Sequence, residues 1–164
     1  MPITFSLSAH MIRPERKLGQ EEVAAIIVSH AKWLARAENR NNGETEVGRR
    51  ADFSDADLTG FGFSGADLRE ANFSGSNLKD TKFVGTKLDG ACFVNALICN
   101  TDFSKAEQKG SVFFKADGLG AKFTGAILTH ASFTKALLGR LFFAVRLHRA
   151  SHIVSPFIWQ ATAT

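Results

Sequence analysis

A five-residue phrase recurs without insertion from residue 51 to residue 143, and it constrains the fold more than any other feature of the sequence. Each phrase contains a small residue, a variable residue, Phe or Leu, and then two polar or turn-forming residues. Counting in fives from Phe53 to Phe143 gives nineteen repeats. An α-helix turns about 100° per residue and a strand alternates every two residues, so neither has a period of five. The period must come from regularly spaced turns.

The last residue of each phrase occupies the predicted turn. It is glycine in eight phrases and Asp or Asn in four, and these types tolerate the positive φ of the third residue in a type II turn. The other corner residues are expected to use another turn type: Glu70, Lys105, Lys115, His130, Lys135 and Arg140. In the extended part of the phrase, the small residue and the Phe or Leu point to the same side. Four corners then close a square coil of twenty residues around these side chains.

Stacked coils place residues twenty apart above one another, at about the 4.8 Å spacing of a sheet. Phenylalanines form two of the four interior columns: Phe53, Phe73, Phe93, Phe113 and Phe133 in one, and Phe63, Phe83, Phe103, Phe123 and Phe143 in the opposite one. Leu or Ile fills the other two columns, except at Gln108 and Gly118. These exceptions predict a bulge or a local register change between residues 105 and 120, with Leu119 turned inward.

The phrase resembles the A-(D/N)-L-x-x signature of the pentapeptide-repeat proteins. It stands nearly unaltered at residues 56–58, 66–68 and 71–73, which read Ala-Asp-Leu, Ala-Asp-Leu and Ala-Asn-Phe. The resemblance covers more than half of the chain and implies a mainly β fold, the right-handed quadrilateral β-helix of that family, here with almost five coils. The pattern H-x-x-W-L from His30, followed by G-R-R-A from Gly48, also resembles the lead-in helix of many bacterial members.

The segment before the repeat is predicted to contain an amphipathic helix over about residues 20–40, because its apolar residues recur at intervals of three and four. An isolated helix of this length is marginal in water, so we expect it to cap the open first coil. His30 and Trp33 are expected to pack rather than to bind a ligand. Residues 1–50 thus form an N-terminal flank and residues 51–143 the β-helix. Residues 144–164 form a C-terminal cap or tail, with a short helix as one alternative.

The formal net charge is +4, but the repeat itself is neutral. Residues 51–143 contain ten Lys or Arg and ten Asp or Glu, whereas residues 144–164 contain two basic residues and no acidic one. Nucleic-acid-binding proteins cluster Lys and Arg along one face, so no nucleic-acid partner is expected. No apolar run reaches the roughly 18 residues of a spanning helix, and no secretory signal is evident. We expect a cytoplasmic bacterial protein with two free cysteines, and a membrane-surface role is disfavoured.

Outward positions divide the predicted solenoid into two unlike sides. On one side charges alternate in sign from coil to coil, as in Asp67, Lys87 and Glu107, which favours correct registration. On the other side the C-terminal half presents a candidate interaction patch, the apolar patch: Cys92, Val94, Leu97, Cys99, Val112, Phe114, Leu119 and Leu137. Such a patch needs a cover. The cover is either a terminal segment of the same chain, with residues 157–159 folding back, or a protein partner or second copy.

No arrangement typical of an enzyme occurs in the sequence. Its acidic residues are scattered over exterior ladders, no His is predicted beside either cysteine, and there is no phosphate-binding glycine loop. No metal, cofactor or small-molecule substrate is therefore expected, and the predicted function is a non-catalytic protein–protein interaction scaffold. The family resemblance implies an alternative, since some members protect DNA gyrase from quinolones by imitating DNA. The neutral repeat and basic tail disfavour that alternative.

Overall fold

The computed structural model describes residues 16–38 and 48–138. Its elements are the short strand β1 (Arg16–Lys17), the helix α1 (Gln20–Glu38) and the short strand β2 (Ala56–Asp57), and a regular succession of bridges and turns continues from β2 to residue 138. The predicted C-terminal cap or tail, Phe143 and the corner at Arg140 lie outside the described residues.

Residues twenty apart are joined by parallel bridges, which run from Asp52↔Asn72 to Asp117↔Leu137. Each bridge is made by two backbone hydrogen bonds. The N–H of Phe53 donates to the carbonyl of Asn72 at 2.7 Å, and the N–H of Asn72 donates to the carbonyl of Ala51 at 3.0 Å. The same pattern repeats on four sides of each coil. The fold is therefore a β-helix solenoid, as the period of the sequence and the family resemblance predicted.

Every described corner is a turn with the same backbone geometry. In the first, the N–H of Ala56 donates to the carbonyl of Phe53 at 3.3 Å, and Asp55 has a φ of 53°. The expectation of another turn type at the non-glycine corners is wrong, because these also have positive φ: Glu70 (62°), Lys105 (59°), Lys115 (57°), His130 (60°) and Lys135 (60°). Ladder bonds on both sides of a corner impose one geometry, although a side chain in this region costs about 1 kcal/mol.

The phenylalanine columns form the centre of the solenoid. Rings within a column stack, with centroids 5.0 Å apart for Phe53 and Phe73 and 4.6 Å apart for Phe93 and Phe113. Rings of opposite columns meet edge to face, as Phe83 and Phe93 do at 6.1 Å and 86°. Aromatic pairs favour both arrangements. Because the rings of the two columns interleave, each phenylalanine between the first and last described coils contacts neighbours above, below and across the core.

Polar residues in the small-residue columns are buried but hydrogen-bonded. The hydroxyl of Thr81 donates to the carbonyl of Leu58 at 2.8 Å, and the hydroxyl of Thr101 donates to the carbonyl of Leu78 at 2.7 Å. Each bond joins one coil to the preceding one. A buried hydroxyl without a partner is costly, so these bonds explain why Thr can replace Ala at this position of the phrase.

Residues 105–120 follow the regular ladder, so the predicted bulge or register change is wrong. The N–H of Gln108 donates to the carbonyl of Ile127 at 2.8 Å, as at the equivalent position of the other phrases from Phe53 to Gly118. Gln108 is fully buried in its column. Leu119 does not turn inward, and 64% of its surface is exposed.

Neighbouring side chains compensate for the missing side chain of Gly118. A Cβ there would lie 2.7 Å from Leu138 Cδ2 and 2.8 Å from Ile98 Cγ1, so the leucine and isoleucine above and below already occupy the space. Gln108 is less well accommodated, because neither atom of its amide has a hydrogen-bond partner within the described residues. The backbone ladder does not depend on side chains, and it holds the register at both irregular positions.

α1 begins directly after Gly19, whose carbonyl accepts the N–H of Val23 at 3.1 Å. The carboxylate of Glu22, in the first turn, accepts the N–H of Gly19 at 2.8 Å and so satisfies a donor at the start of the helix. Val23 is buried in the core cluster of the solenoid, and Ile26 packs against that cluster. The amphipathic face of α1 therefore packs on the core of the repeats.

His30 joins α1 to the first coil. Its ring is fully buried and stacks on Trp33 at 5.5 Å, and its Nδ1 accepts the N–H of Ala51 at 3.0 Å. Nε2 makes no hydrogen bond within the described residues, although the backbone of Arg69 lies close by. Burial lowers the pKa of His30, while the nearby Asp67 carboxylate opposes this shift. Because Nδ1 acts as an acceptor, the docked helix requires a neutral imidazole.

Gly48 allows the chain to pass against α1 on its way to the first coil. A Cβ at this position would overlap the carbonyl oxygen of Ser29 and the backbone nitrogen of Trp33. The N–H of the next residue, Arg49, donates to Ser29 Oγ at 3.0 Å. β1 adds a second contact, since the N–H of Arg16 donates to the carbonyl of Asp55 at 3.1 Å. The start of the solenoid is thus covered by α1 and β1.

Replacing Gln108 by Leu should stabilise the protein. Gln108→Leu removes two buried amide atoms that lack partners and keeps a side chain of similar size, so we expect the free energy of unfolding to rise by about 1–3 kcal/mol. The reverse change one coil earlier, Leu88→Gln, should lower it by a comparable amount. Denaturant unfolding followed by circular dichroism measures both. A Gln108→Leu variant less stable than the wild type would show that the amide has a partner.

His30 should make stability depend on pH. Its folded pKa is lowered, so the unfolded chain takes up the proton first. The contribution of His30 to the free energy of unfolding is complete above the unfolded pKa of about 6.5. It is lost as pH falls from there toward the folded pKa, by at most about 1.4 kcal/mol per pH unit. Melting temperatures between pH 7.5 and 5.0 should therefore fall more in the wild type than in His30→Gln. Equal pH dependence in the wild type and His30→Gln would contradict the assignment.

Candidate interaction surface

The apolar patch lies on two adjacent faces of the solenoid. The first face carries four half-buried members: Cys92, Val94, Val112 and Phe114. Cys92 and Val112 are bridge partners on successive coils, which places them side by side. The Sγ of Cys92 lies 3.1 Å from Ser74 Oγ, on the preceding coil. On this face the outward side chains are thus polar in the coil that contains Ser74, and they are apolar in the next two coils.

Two lysines flank Phe114, a feature that the sequence reasoning missed. The Nζ atoms of Lys115 and Lys135 lie 5.4 Å and 5.7 Å from the centroid of the Phe114 ring, within cation–π range. The signal was present in the sequence, because both lysines occupy the corner slot and are twenty residues apart. This edge of the apolar patch is therefore cationic.

The second face carries the more exposed members of the apolar patch. Leu97, Leu119 and Leu137 expose 38%, 64% and 66% of their surfaces. Asp117 is the bridge partner of both Leu97 and Leu137 and therefore separates them. The Sγ of Cys99 lies 3.8 Å from the Asp117 carbonyl oxygen. A carboxylate therefore interrupts the apolar surface at Asp117, because the second residue of each phrase points outward whatever its polarity.

The opposite side of the solenoid carries the predicted charge ladder. Lys87 is the bridge partner of both Asp67 and Glu107, so opposite charges stand on successive coils. The closest pair lies within one phrase, where Arg69 NH2 is 2.8 Å from Asp67 Oδ2 and Arg69 Nε donates to Asp67 Oδ1 at 2.9 Å. The Arg69 hydrogen bonds hold the pKa of Asp67 below its ordinary value. Exposed pairs of this kind contribute about 0–1 kcal/mol, so the ladder selects register more than it adds stability.

Two further aspartates stabilise turns of the first coil by accepting hydrogen bonds. Thr59 donates to Asp57 Oδ1 from its backbone N–H at 3.1 Å and from its hydroxyl at 2.7 Å, and these bonds lower the pKa of Asp57. Burial raises the pKa of Asp52, but hydrogen bonds from Ser54 and Asn72 outweigh it and lower the pKa overall. Both groups are therefore carboxylates at neutral pH and act as hydrogen-bond acceptors for the backbone rather than as proton donors.

The described residues contain neither a metal-ion cluster nor a helix that could span a membrane. No group of three or more His, Cys, Asp or Glu side chains there could hold a metal ion. Among the same residues, no helix is long and apolar enough to cross a membrane. His30, which was expected to pack rather than to bind a ligand, accepts a hydrogen bond from the backbone N–H of Ala51.

Sequence comparison places the repeat in a known family. Residues 49–85 match the sequence model described as pentapeptide repeats, in eight copies. Residues 49–85 of this chain are thus pentapeptide repeats, which confirms the resemblance seen in the five-residue phrase. Comparison with curated proteins gave no match.

Several solved structures resemble this chain. Rfr23, a pentapeptide repeat protein from the cyanobacterium Cyanothece 51142, is 20% identical, with a TM-score of 0.39, and 65% of this chain and 67% of that chain are covered. A pentapeptide repeat protein from the Arabidopsis thaliana thylakoid lumen is 29% identical, with a TM-score of 0.25 and coverages of 56% and 68%. QnrB1, a plasmid-mediated fluoroquinolone resistance protein, is 23% identical, with a TM-score of 0.26 and coverages of 58% and 53%.

Proposed function

We propose that this chain is a non-catalytic protein–protein interaction scaffold, a right-handed quadrilateral β-helix that binds another protein through the apolar patch. The observation that carries the proposal is the exposure of Leu119 and Leu137, at 64% and 66%. Large apolar side chains that are exposed beside one another are typical of interaction sites.

The regular core supports this role because it makes the surface rigid. Outward side chains are fixed at sheet spacing by backbone bonds on both sides of each coil. A rigid surface loses little conformational entropy when a partner binds. The polar faces of the first coils, where Asp52 and Asp57 are held by hydrogen bonds, limit the patch to the C-terminal half of the described coils.

The alternative is binding to DNA gyrase with protection from quinolones. A protein that imitates DNA needs a strongly acidic surface, and the charges of this repeat do not provide one. Residues 51–143 carry ten acidic and ten basic residues, and oppositely charged residues such as Asp67 and Lys87 are bridge partners. A supercoiling assay with gyrase and a quinolone separates the two functions, since the scaffold role predicts no protection.

The scaffold proposal predicts that one exposed leucine is essential for partner capture. Immobilised wild-type protein should retain a specific protein from a lysate of its native host, identified by mass spectrometry. A carboxylate at the centre of an apolar contact would be buried without a partner, so Leu119→Asp should weaken that binding at least about tenfold. The circular-dichroism spectrum should not change, because Leu119 lies outside the core.

Val28→Asp is the matched control. Val28 is 58% exposed, close to the value for Leu119, but it lies on α1. This variant should capture the partner as the wild type does. If Leu119→Asp and Val28→Asp capture the partner equally well, the apolar patch is not the binding surface.

A further inference from the structure

Lys115 and Lys135 break the charge pattern that the rest of the solenoid follows. Among the described residues, outward charges that stand on successive coils alternate in sign: Asp67, Lys87 and Glu107 in one ladder, and Lys82, Asp102 and Lys122 in another. The two lysines occupy the same corner slot of successive coils, about 4.8 Å apart along the axis. Like charges placed this close repel each other, so the pair costs stability in the isolated chain.

No acidic group on this face offsets this repulsion, and Asp117, two residues after Lys115, lies on the adjacent face. Residues 91–95, 111–115 and 131–135 make up this face in three successive coils, and they contain no Asp or Glu. Within the described residues, neither lysine forms an ion pair. Their ammonium groups instead lie over the ring of Phe114, one of the most apolar members of the face.

Lysine is also an unfavourable residue type for this corner slot. Lys115 and Lys135 have φ values of 57° and 60°, a region in which glycine is unstrained and other residues are not. Glycine or Asn fills most of the described corners. Two strained, mutually repelling lysines beside a half-buried aromatic ring are therefore poorly explained by the fold alone, and they are well explained by a bound anionic group.

We infer that the first face of the apolar patch binds a polypeptide segment in which acidic and aliphatic side chains are close neighbours. Its carboxylates bind Lys115 and Lys135, and its aliphatic side chains pack against Phe114, Val112 and Val94. This inference rests on the proposed function and specifies the chemistry of the partner. A carboxylate near both ammonium groups removes their repulsion, and the apolar contact excludes water from the ion pairs and strengthens them.

A labelled peptide in which glutamates alternate with leucines tests the inference by fluorescence anisotropy. We expect it to bind the full chain, with an affinity that falls as salt is raised because exposed ion pairs are screened. The double variant Lys115→Gln, Lys135→Gln should bind about tenfold more weakly, since it removes both ion pairs. A peptide with lysines in place of the glutamates should bind no more tightly to the wild type than to the double variant.

Lys105→Gln is the matched control, because Lys105 has the same corner slot and a φ of 59° but lies on another face. It should not change peptide binding. Absence of binding, or equal loss in Lys105→Gln, would overturn the inference, and so would a single-stranded oligonucleotide that binds more tightly through the same lysines. If the peptide fails to bind while Leu119→Asp still abolishes partner capture, the scaffold stands and only the partner chemistry is wrong. If the peptide binds but capture is unaffected by Leu119→Asp, the proposed function fails instead.

Discussion

The structure depends on the backbone hydrogen bonds that join each residue to the coil above and the coil below. They fix a period of twenty residues from Ala51 to the end of the described coils, and they hold it even where the side chains are unfavourable. At Gln108 the ladder buries an amide that has no partner, and at Lys115 it forces a positive φ on a lysine. The phenylalanine columns add to this constraint, because a ring stacks well only on another ring at the same column.

Because the backbone ladder dominates over individual side chains, some features could be predicted from the sequence and others could not. The solenoid, its columns and the helix before it could be predicted, because apolar residues recur at the interior positions and turn-forming residues recur at the corners. Local adjustments could not be predicted. A bulge at Gln108 and a second turn type at Glu70 were reasonable if side chains set the local geometry, but the continuous ladder overrides both. His30 was recognised as a packing residue, whereas its bond to Ala51 depends on a contact that the spacing of the motif does not reveal.

The exterior was predictable in outline and not in detail. Alternation along each extended segment shows which side chains point outward, and so all members of the apolar patch could be named. The role of Asp117 between two leucines, and the convergence of two lysines on Phe114, depend on neighbours in adjacent coils. Because the backbone and the interior determine the fold, outward residues are free to vary. The exterior is therefore where we expect a function specific to this chain to be encoded. The charge ladder favours register, and binding is the role that we propose for the apolar patch.

The central claim, that stacked columns and a twenty-residue ladder determine this structure, is tested most directly by inserting repeats and measuring thermal unfolding. Duplicating residues 91–100 adds two phrases and keeps Phe above Phe and Leu above Leu, so the variant should melt at or above the wild-type temperature. Duplicating residues 91–95 adds one phrase and places Phe above Leu in every column at the junction. That variant should melt at least about 4 °C lower, which corresponds to about 1 kcal/mol for a domain of this size. Equal melting temperatures for the two insertions would show that the columns do not select the register and would contradict the account.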